Sequence, residues 1–168
     1  FDALNHGKES RRIDFRQAAD LDQLREWLVN ADVMVDSFRP GILQSMGLDF
    51  ERLQTINPKL VLVSITGYGQ HGEWSQRAGH DLNFMAMSGA LDQMRTPTGE
   101  LALANVQWGD MAGGSSMACI AILAAVFDTP RRGAGRPIDI SKAHGVHADL
   151  VFPRATSALI ALMVGHPH

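Results

Sequence analysis

The run LVLVSIT at residues 60–66 constrains the fold more than any other stretch of the chain. It is apolar almost without interruption, so both faces of the strand it forms must be covered. That is the pattern of a central strand in a parallel sheet with helices on either side. A second β-prone run, VMVDSF at 33–38, is halted by the turn signal Arg39-Pro40-Gly41, and a third, PIDIS, begins at Pro137. Helical signals separate them. Asp20 is placed to cap a helix whose apolar residues Leu21, Leu24, Trp27 and Leu28 recur at helical spacing, ending near Asn30. Residues 42–46 predict a short helical turn closed by Gly47, and Asp49 caps a helix over 50–56 that Asn57-Pro58 terminates. Strands alternating with helices predict an α/β layered domain.

Composition sets the outer bounds. A chain of 168 residues with 45% hydrophobic and 20% charged side chains suits a single α/β domain over 1–168 with a real core. A net charge of −3 offers no global attraction to nucleic acid or an anionic membrane. The single cysteine, Cys119, excludes an intrachain disulfide framework and fits a cytoplasmic location. The longest uncharged run, 111–127, is 17 residues, just short of a bilayer span. It predicts a helix over 111–128 that is apolar nearly all round, wholly buried, with Cys119 inside it. Pro130 and the following Arg-Arg-Gly are expected to stop that helix. Residues 142–164 read as helix divided at Pro153. The abrupt start and the apolar tail at 155–168 read as the ends of a fragment.

Chemistry is expected after the central strand, because ligands bind outside the carboxyl ends of strands in open α/β sheets. There lies GYGQHGEWSQRAGH, residues 67–80. Gly67, Gly69 and Gly72 match GxGxxG, but no helical periodicity follows, so a ligand-proximal loop is the better reading than a dinucleotide fingerprint. The GKES at 7–10 lacks the first glycine of a phosphate loop, and no GxSxG elbow occurs. His144 and His147 have no cysteine or glutamate to complete a zinc motif and read as helix histidines; no metal is expected. Met85 and Met87 could line an acyl pocket. His80 and Asp81 stand side by side, and Asp110 opens the long apolar helix as its N-cap, where backbone N–H groups favour a carboxylate. Gly109, Gly113 and Gly114 would let a ligand approach Asp110. Taken singly, His80 is a turn histidine and Asp110 a cap.

In combination, DSFRPG at 36–41, MGLDFERLQTINPKLVLVSITGYGQHG, AGHDLNF, WGD and RRGAGRPIDIS resemble the family III CoA-transferases (CaiB/BaiF type), which include the α-methylacyl-CoA racemases. The resemblance runs from LNHGKES to about Gly145. It implies a Rossmann-like parallel-sheet large domain, incomplete at both ends, without an N-terminal βα portion and a C-terminal small domain. It also implies an interlocked homodimer for full-length members. GHDLNF is similar to the racemase branch, in which the histidine and an aspartate thirty residues later form the catalytic pair; these map onto His80 and Asp110. By the same correspondence Ser37, Phe38, Arg39, Arg77, Ala78, Gly79 and His80 should touch CoA. Two departures stand out: Ser45 replaces an arginine of some transferases, and SKAHG replaces a more usual acidic turn.

The resemblance therefore implies racemisation of a 2-methylacyl-CoA thioester by 1,1-proton transfer, with CoA as part of the substrate and no separate cofactor. Backbone N–H groups near Gly113 and Gly114 would serve the oxyanion, and Arg131, Arg132 and Arg136 would either meet CoA phosphates or form a solvated turn. Two alternatives remain open at this point. Asp110 could be the nucleophile of a CoA-transferase, forming an acyl-aspartyl anhydride. The chain could also be an inactive CoA-binding or dimerisation fragment.

Overall fold

The computed structural model describes residues 2–151. Pro153, the apolar tail, His166 and His168 lie outside them. A one-turn helix, α1 (Asp2–Asn5), leads to α2 (Ala18–Leu28) and β1 (Val33–Asp36). Then follow α3 (Ile42–Ser45), α4 (Phe50–Ile56), β2 (Val61–Thr66), α5 (Asp81–Met87) and α6 (Ala90–Gln93). Next come α7 (Trp108–Asp110), a π-helical segment (Met111–Ser116), α8 (Met117–Arg132), β3 (Pro137–Ser141) and α9 (Lys142–Val151). The three strands form one parallel sheet in the order β1-β2-β3, with Val33 opposite Val61 and Val63 opposite Ile138.

The apolar run is the central strand, and its side chains divide between two cores. Val61 and Val63 pack with Ile138 and Ile140 against Met117, Ala118, Ala121 and Ala125 of α8. Leu60 and Leu62 point the other way, into Leu28, Leu43, Leu48 and Leu53 from α2, α3, the adjoining turn and α4. A strand with period-two side chains and apolar residues at every position has to be covered twice. Asn57 ties this layer together by donating from its amide to the carbonyls of Leu28 and Ala31.

Caps and breakers depart from expectation in two places. Asp49 caps α4 through the N–H of Arg52, as its position predicts. Asp20 does not cap α2, which begins earlier at Ala18; its carboxylate instead accepts from the Asp14 N–H at 2.7 Å. Pro130 does not stop α8. It sits in the last turn, where the carbonyl deprived of a donor belongs to exposed Val126, and Gly133 ends the helix with φ +71°.

The long apolar segment is one helix of 25 residues, Trp108 to Arg132, long and apolar enough by length and composition to cross a membrane. Only one side of it is buried. The small residues Ala118, Ala121 and Ala125 lie on the sheet, whereas Leu123 is 70% and Phe127 64% exposed. The all-round burial expected for it is therefore wrong: a two-layer contact covers one stripe of a helix, and no second layer lies over α8 among the described residues. Cys119 is likewise exposed rather than buried.

Candidate active site

All three strands deliver their carboxyl ends to one edge of the sheet. Asp36, buried at the end of β1, accepts from the Ser64 hydroxyl at 2.6 Å and from the Phe38 N–H at 3.0 Å. That anchors the segment Ser37-Phe38-Arg39 as it leaves the sheet. Beyond β2 the loop over 67–80 is pinned twice: the Gln70 N–H donates to Asp139, and the Gln76 amide donates to the Pro40 carbonyl at 3.1 Å. Phe84 of α5 fills the space left by Gly67 and Gly79, where a Cβ would collide with its ring.

A cleft of about 450 Å³ results. Ser37, Phe38 and Arg39 form one wall; Arg77, Ala78, Gly79 and His80 form another; Thr66, Phe84 and Lys142 lie between. The structure thus brings together all the residues expected on the CoA side. Arg77 stacks over Trp74, 4.4 Å from the ring centroid, which holds its guanidinium at the rim. The loop glycines do not open a helix: Gly69 donates its N–H to the Thr66 hydroxyl, and the next helix begins only at Asp81.

His80 is the N-cap residue of α5, in extended conformation, and its backbone N–H donates to the Asn83 side chain at 2.9 Å. Its ring is exposed at the cleft. Asp81 turns inward and accepts the backbone N–H of Asp110 at 2.9 Å, so α5 and α7 meet at their amino ends. Asp110 is not the N-cap of its helix. That position belongs to Gln107, and Asp110 has helical geometry one turn further in. Its carboxylate therefore does not cap. It receives the Lys142 ammonium, Nζ to Oδ1 2.6 Å, from the first residue after β3. Asp110 and Lys142 are both part-exposed, with 32% and 26% of their side-chain surfaces open.

The glycines around Asp110 serve packing. A Cβ at Gly109 would press on the Asp81 carbonyl at 3.0 Å, and one at Gly113 would overlap the Lys142 carbonyl and Val146. Gly145 of α9 meets the Gly113 backbone directly. The missing Cβ of Gly113 thus makes room for α9, and that of Gly114 for the Lys142 stem. For the basic turn, the structure favours the solvated alternative over a place at this cleft. Arg131, Arg132 and Arg136 precede β3, at the opposite edge of the sheet from the cleft. Arg132 and Arg136 converge on buried Asp128, and Arg131 lies over Phe127. Burial pushes the Asp128 carboxyl up, but the two guanidinium groups outweigh it and hold it below the usual carboxylate range.

Other candidates take ordinary roles. Met85 is core with Ala90 and Val146, whereas Met87 borders a separate hollow of about 400 Å³ with Trp74, His144 and His147. His144 Nδ1 lies 3.0 Å from the Ser141 hydroxyl, and His147 Nδ1 is 3.3 Å from the Ser88 carbonyl oxygen. Among the described residues no group of three or more His, Cys, Asp or Glu is placed to hold a metal ion. Lys142 was not singled out from the sequence. Its position immediately after a parallel strand's carboxyl end is the signal that could have found it.

The sequence model of CoA-transferase family III matches residues 1–166. The chain belongs to that family. A CaiB/baiF CoA-transferase family protein of Caenorhabditis elegans is 37% identical over 150 residues, 85% of this chain and 43% of the relative. Human α-methylacyl-CoA racemase is 36% identical over 143 residues, 84% of this chain and 37% of the relative. An acetyl-CoA:oxalate CoA-transferase of Acetobacter aceti is 33% identical over 151 residues, 89% of the chain and 39% of the relative. A crystal structure of a CaiB/BaiF family protein from Brucella suis superimposes with a TM-score of 0.81 at 34% identity, covering 92% of this chain and 40% of that one. The family III chain thus spans about two-fifths of the length of the relatives it matches. Its relatives include both racemases and CoA-transferases.

Proposed function

We propose that the chain carries the reacting groups of an acyl-CoA site and moves a proton at the α-carbon of a 2-methylacyl-CoA thioester. The observation that supports it is the juncture of α5 and α7. The Asp81 carboxylate, adjacent to His80, holds the Asp110 N–H, which ties the two residues' helices together; His80 lines the cleft, and Asp110 pairs with Lys142, which lines it too. Neutral imidazole is a competent base near pH 7, and a carboxylate on the other side can return the proton. One base takes the α-proton, the electron pair of the C–H bond moves into an enolate, and the opposite conjugate acid protonates the same carbon. No redox cofactor or metal enters this balance. CoA is part of the substrate, its phosphates matched by Arg39 and Arg77. In the full-length protein, an interlocked homodimer in the cytoplasm is part of the same proposal.

The part-open Asp110 carboxylate favours a second reading, in which it attacks an acyl-CoA and carries the acyl group as an anhydride to another acid. One experiment separates the two. In heavy water, with no acceptor acid, the full-length racemase washes deuterium into the α-position, and His80→Ala abolishes that exchange. A transferase instead shows a hydroxylamine-trappable Asp110 adduct and ping-pong kinetics. Full exchange by His80→Ala would sink the proton-transfer reading. Retention of exchange by the chain alone would exclude an inert binding module.

A further inference from the structure

Lys142 is the one cation that both touches the reacting carboxylate and lines the cleft among the described residues. Its stem is held on two sides. The alkyl chain lies against Gly114, where a Cβ would meet Lys142 Cγ at 3.3 Å, and Nζ sits 5.5 Å from the centroid of the Phe84 ring. Its position follows from the sheet: β3 pairs in register with β2 up to Ser141 opposite Thr66, and Lys142 is the next residue. An ammonium carries three N–H donors, and Asp110 takes one of them.

We propose that Lys142 is a catalytic residue that donates a hydrogen bond to the thioester carbonyl oxygen as negative charge develops there. This rests on the reading that Asp110 reacts with the acyl-CoA, but it holds for either chemistry. In proton transfer the C–H electron pair moves into the enolate and the charge lands on the thioester oxygen. In acyl transfer the Asp110 oxygen bonds to the carbonyl carbon and the same oxygen bears the charge until the C–S bond breaks and CoA leaves as thiolate. Lys142 keeps its own proton in both. The backbone N–H of Asp110 is already committed to Asp81. Lys142 is a charged donor that both lines the cleft and touches Asp110, and preorganised donors of this kind act chiefly on the transition state.

The test uses the full-length protein and 2-methyldecanoyl-CoA, with deuterium wash-in as the rate. Lys142→Met keeps the stem and removes the charge; it should lower kcat about 10²- to 10³-fold, the usual cost of an oxyanion donor, with KM changed less than about threefold. Lys142→Arg should recover part of the rate. Lys142→Ala should be rescued by millimolar ethylammonium in a saturable way, a readout that mere structural support would not move. A Lys142→Met kcat within about threefold of wild type, or Lys142→Ala with unchanged folding and no amine rescue, overturns the proposal. If Asp110→Asn leaves the rate intact, it is the underlying reading of Asp110 that fails. If the wild type shows no exchange, the same variants are scored on the Asp110 adduct, where a loss of the same size is expected and its absence counts against Lys142.

Discussion

Lys142 Nζ donates to Asp110 Oδ1 at 2.6 Å across a sequence separation of 32 residues. The pair joins the carboxyl end of β3 to the first turn of the 25-residue helix. It also gives Asp110 a partner that is not its own helix. Asp110 lies past the N-cap, which is Gln107, and its carboxylate pairs with a residue that lines the cleft.

Asp81 is the second anchor of that site. Asp81→Ala leaves the Asp110 N–H without its acceptor, and a hydrogen bond to a charged group is worth about 1.5–3 kcal/mol. The unfolding midpoint in urea should fall accordingly, and α-proton exchange should drop by about tenfold or more. Asp81→Asn keeps an acceptor oxygen and should restore most of both. Equal behaviour of the two variants would remove Asp81 from the account.

Gly145→Ala sets propensity against space. Alanine is favoured over glycine in a helix interior by about 1 kcal/mol. The new Cβ would overlap the Gly113 carbonyl, and because backbone meets backbone there, no side chain can yield. Overpacking of this kind costs about 1–3 kcal/mol or more, so the steric term should win and the variant should be less stable in chemical denaturation. A stabilised Gly145→Ala protein would show that α9 does not pack on the π-helical segment as described.

Asp128 should leave a signature in acid. Its folded carboxyl titrates below the ordinary value, because Arg132 and Arg136 outweigh burial. Its stabilisation is therefore complete above the unfolded carboxyl pKa, about 3.9, and disappears as pH falls through the lower folded value. Asp128→Asn should be less stable than wild type at pH 7, and the gap should close below about pH 4. A gap that is independent of pH would argue against the ion pairs.

Asp36→Ala tests the cleft wall. It strands the Ser64 hydroxyl and the Phe38 N–H, each an orphaned group costing about 1–3 kcal/mol when buried. Stability should fall, and the released 37–39 segment should raise KM for acyl-CoA more than it lowers kcat. Unchanged KM in steady-state kinetics would detach this wall from substrate binding.

Much of the fold was legible in short windows. LVLVSIT at 60–66 already specified a doubly covered strand, and Val61 and Val63 do face α8 while Leu60 and Leu62 face α2 and α4. Asp49, Gly47 and Asn57 punctuate the chain as their local chemistry requires. The grouping of Ser37–Arg39 with Arg77–His80 followed from a family resemblance, and the parallel sheet realises it by placing two strand ends side by side. These features depend on a residue and its near neighbours, or on periodicity, which a sequence carries directly.

Tertiary structure decided the rest. The same apolar helix could be buried all round or on one stripe; the number of layers packed on it settles that, and here Leu123 and Phe127 stay outside. Glycines near Asp110 could admit a ligand or a helix, and only the path of α9 gives Gly113 to Gly145. Asp110 could cap its own helix or meet a distant cation. The helix starts at Trp108, which takes Asp110 out of the cap position, and the register of β3 beside β2 brings Lys142 within 2.6 Å of it. Coulombic and steric contacts act through space, so residues far apart along the chain acquire them only once the sheet has fixed their places.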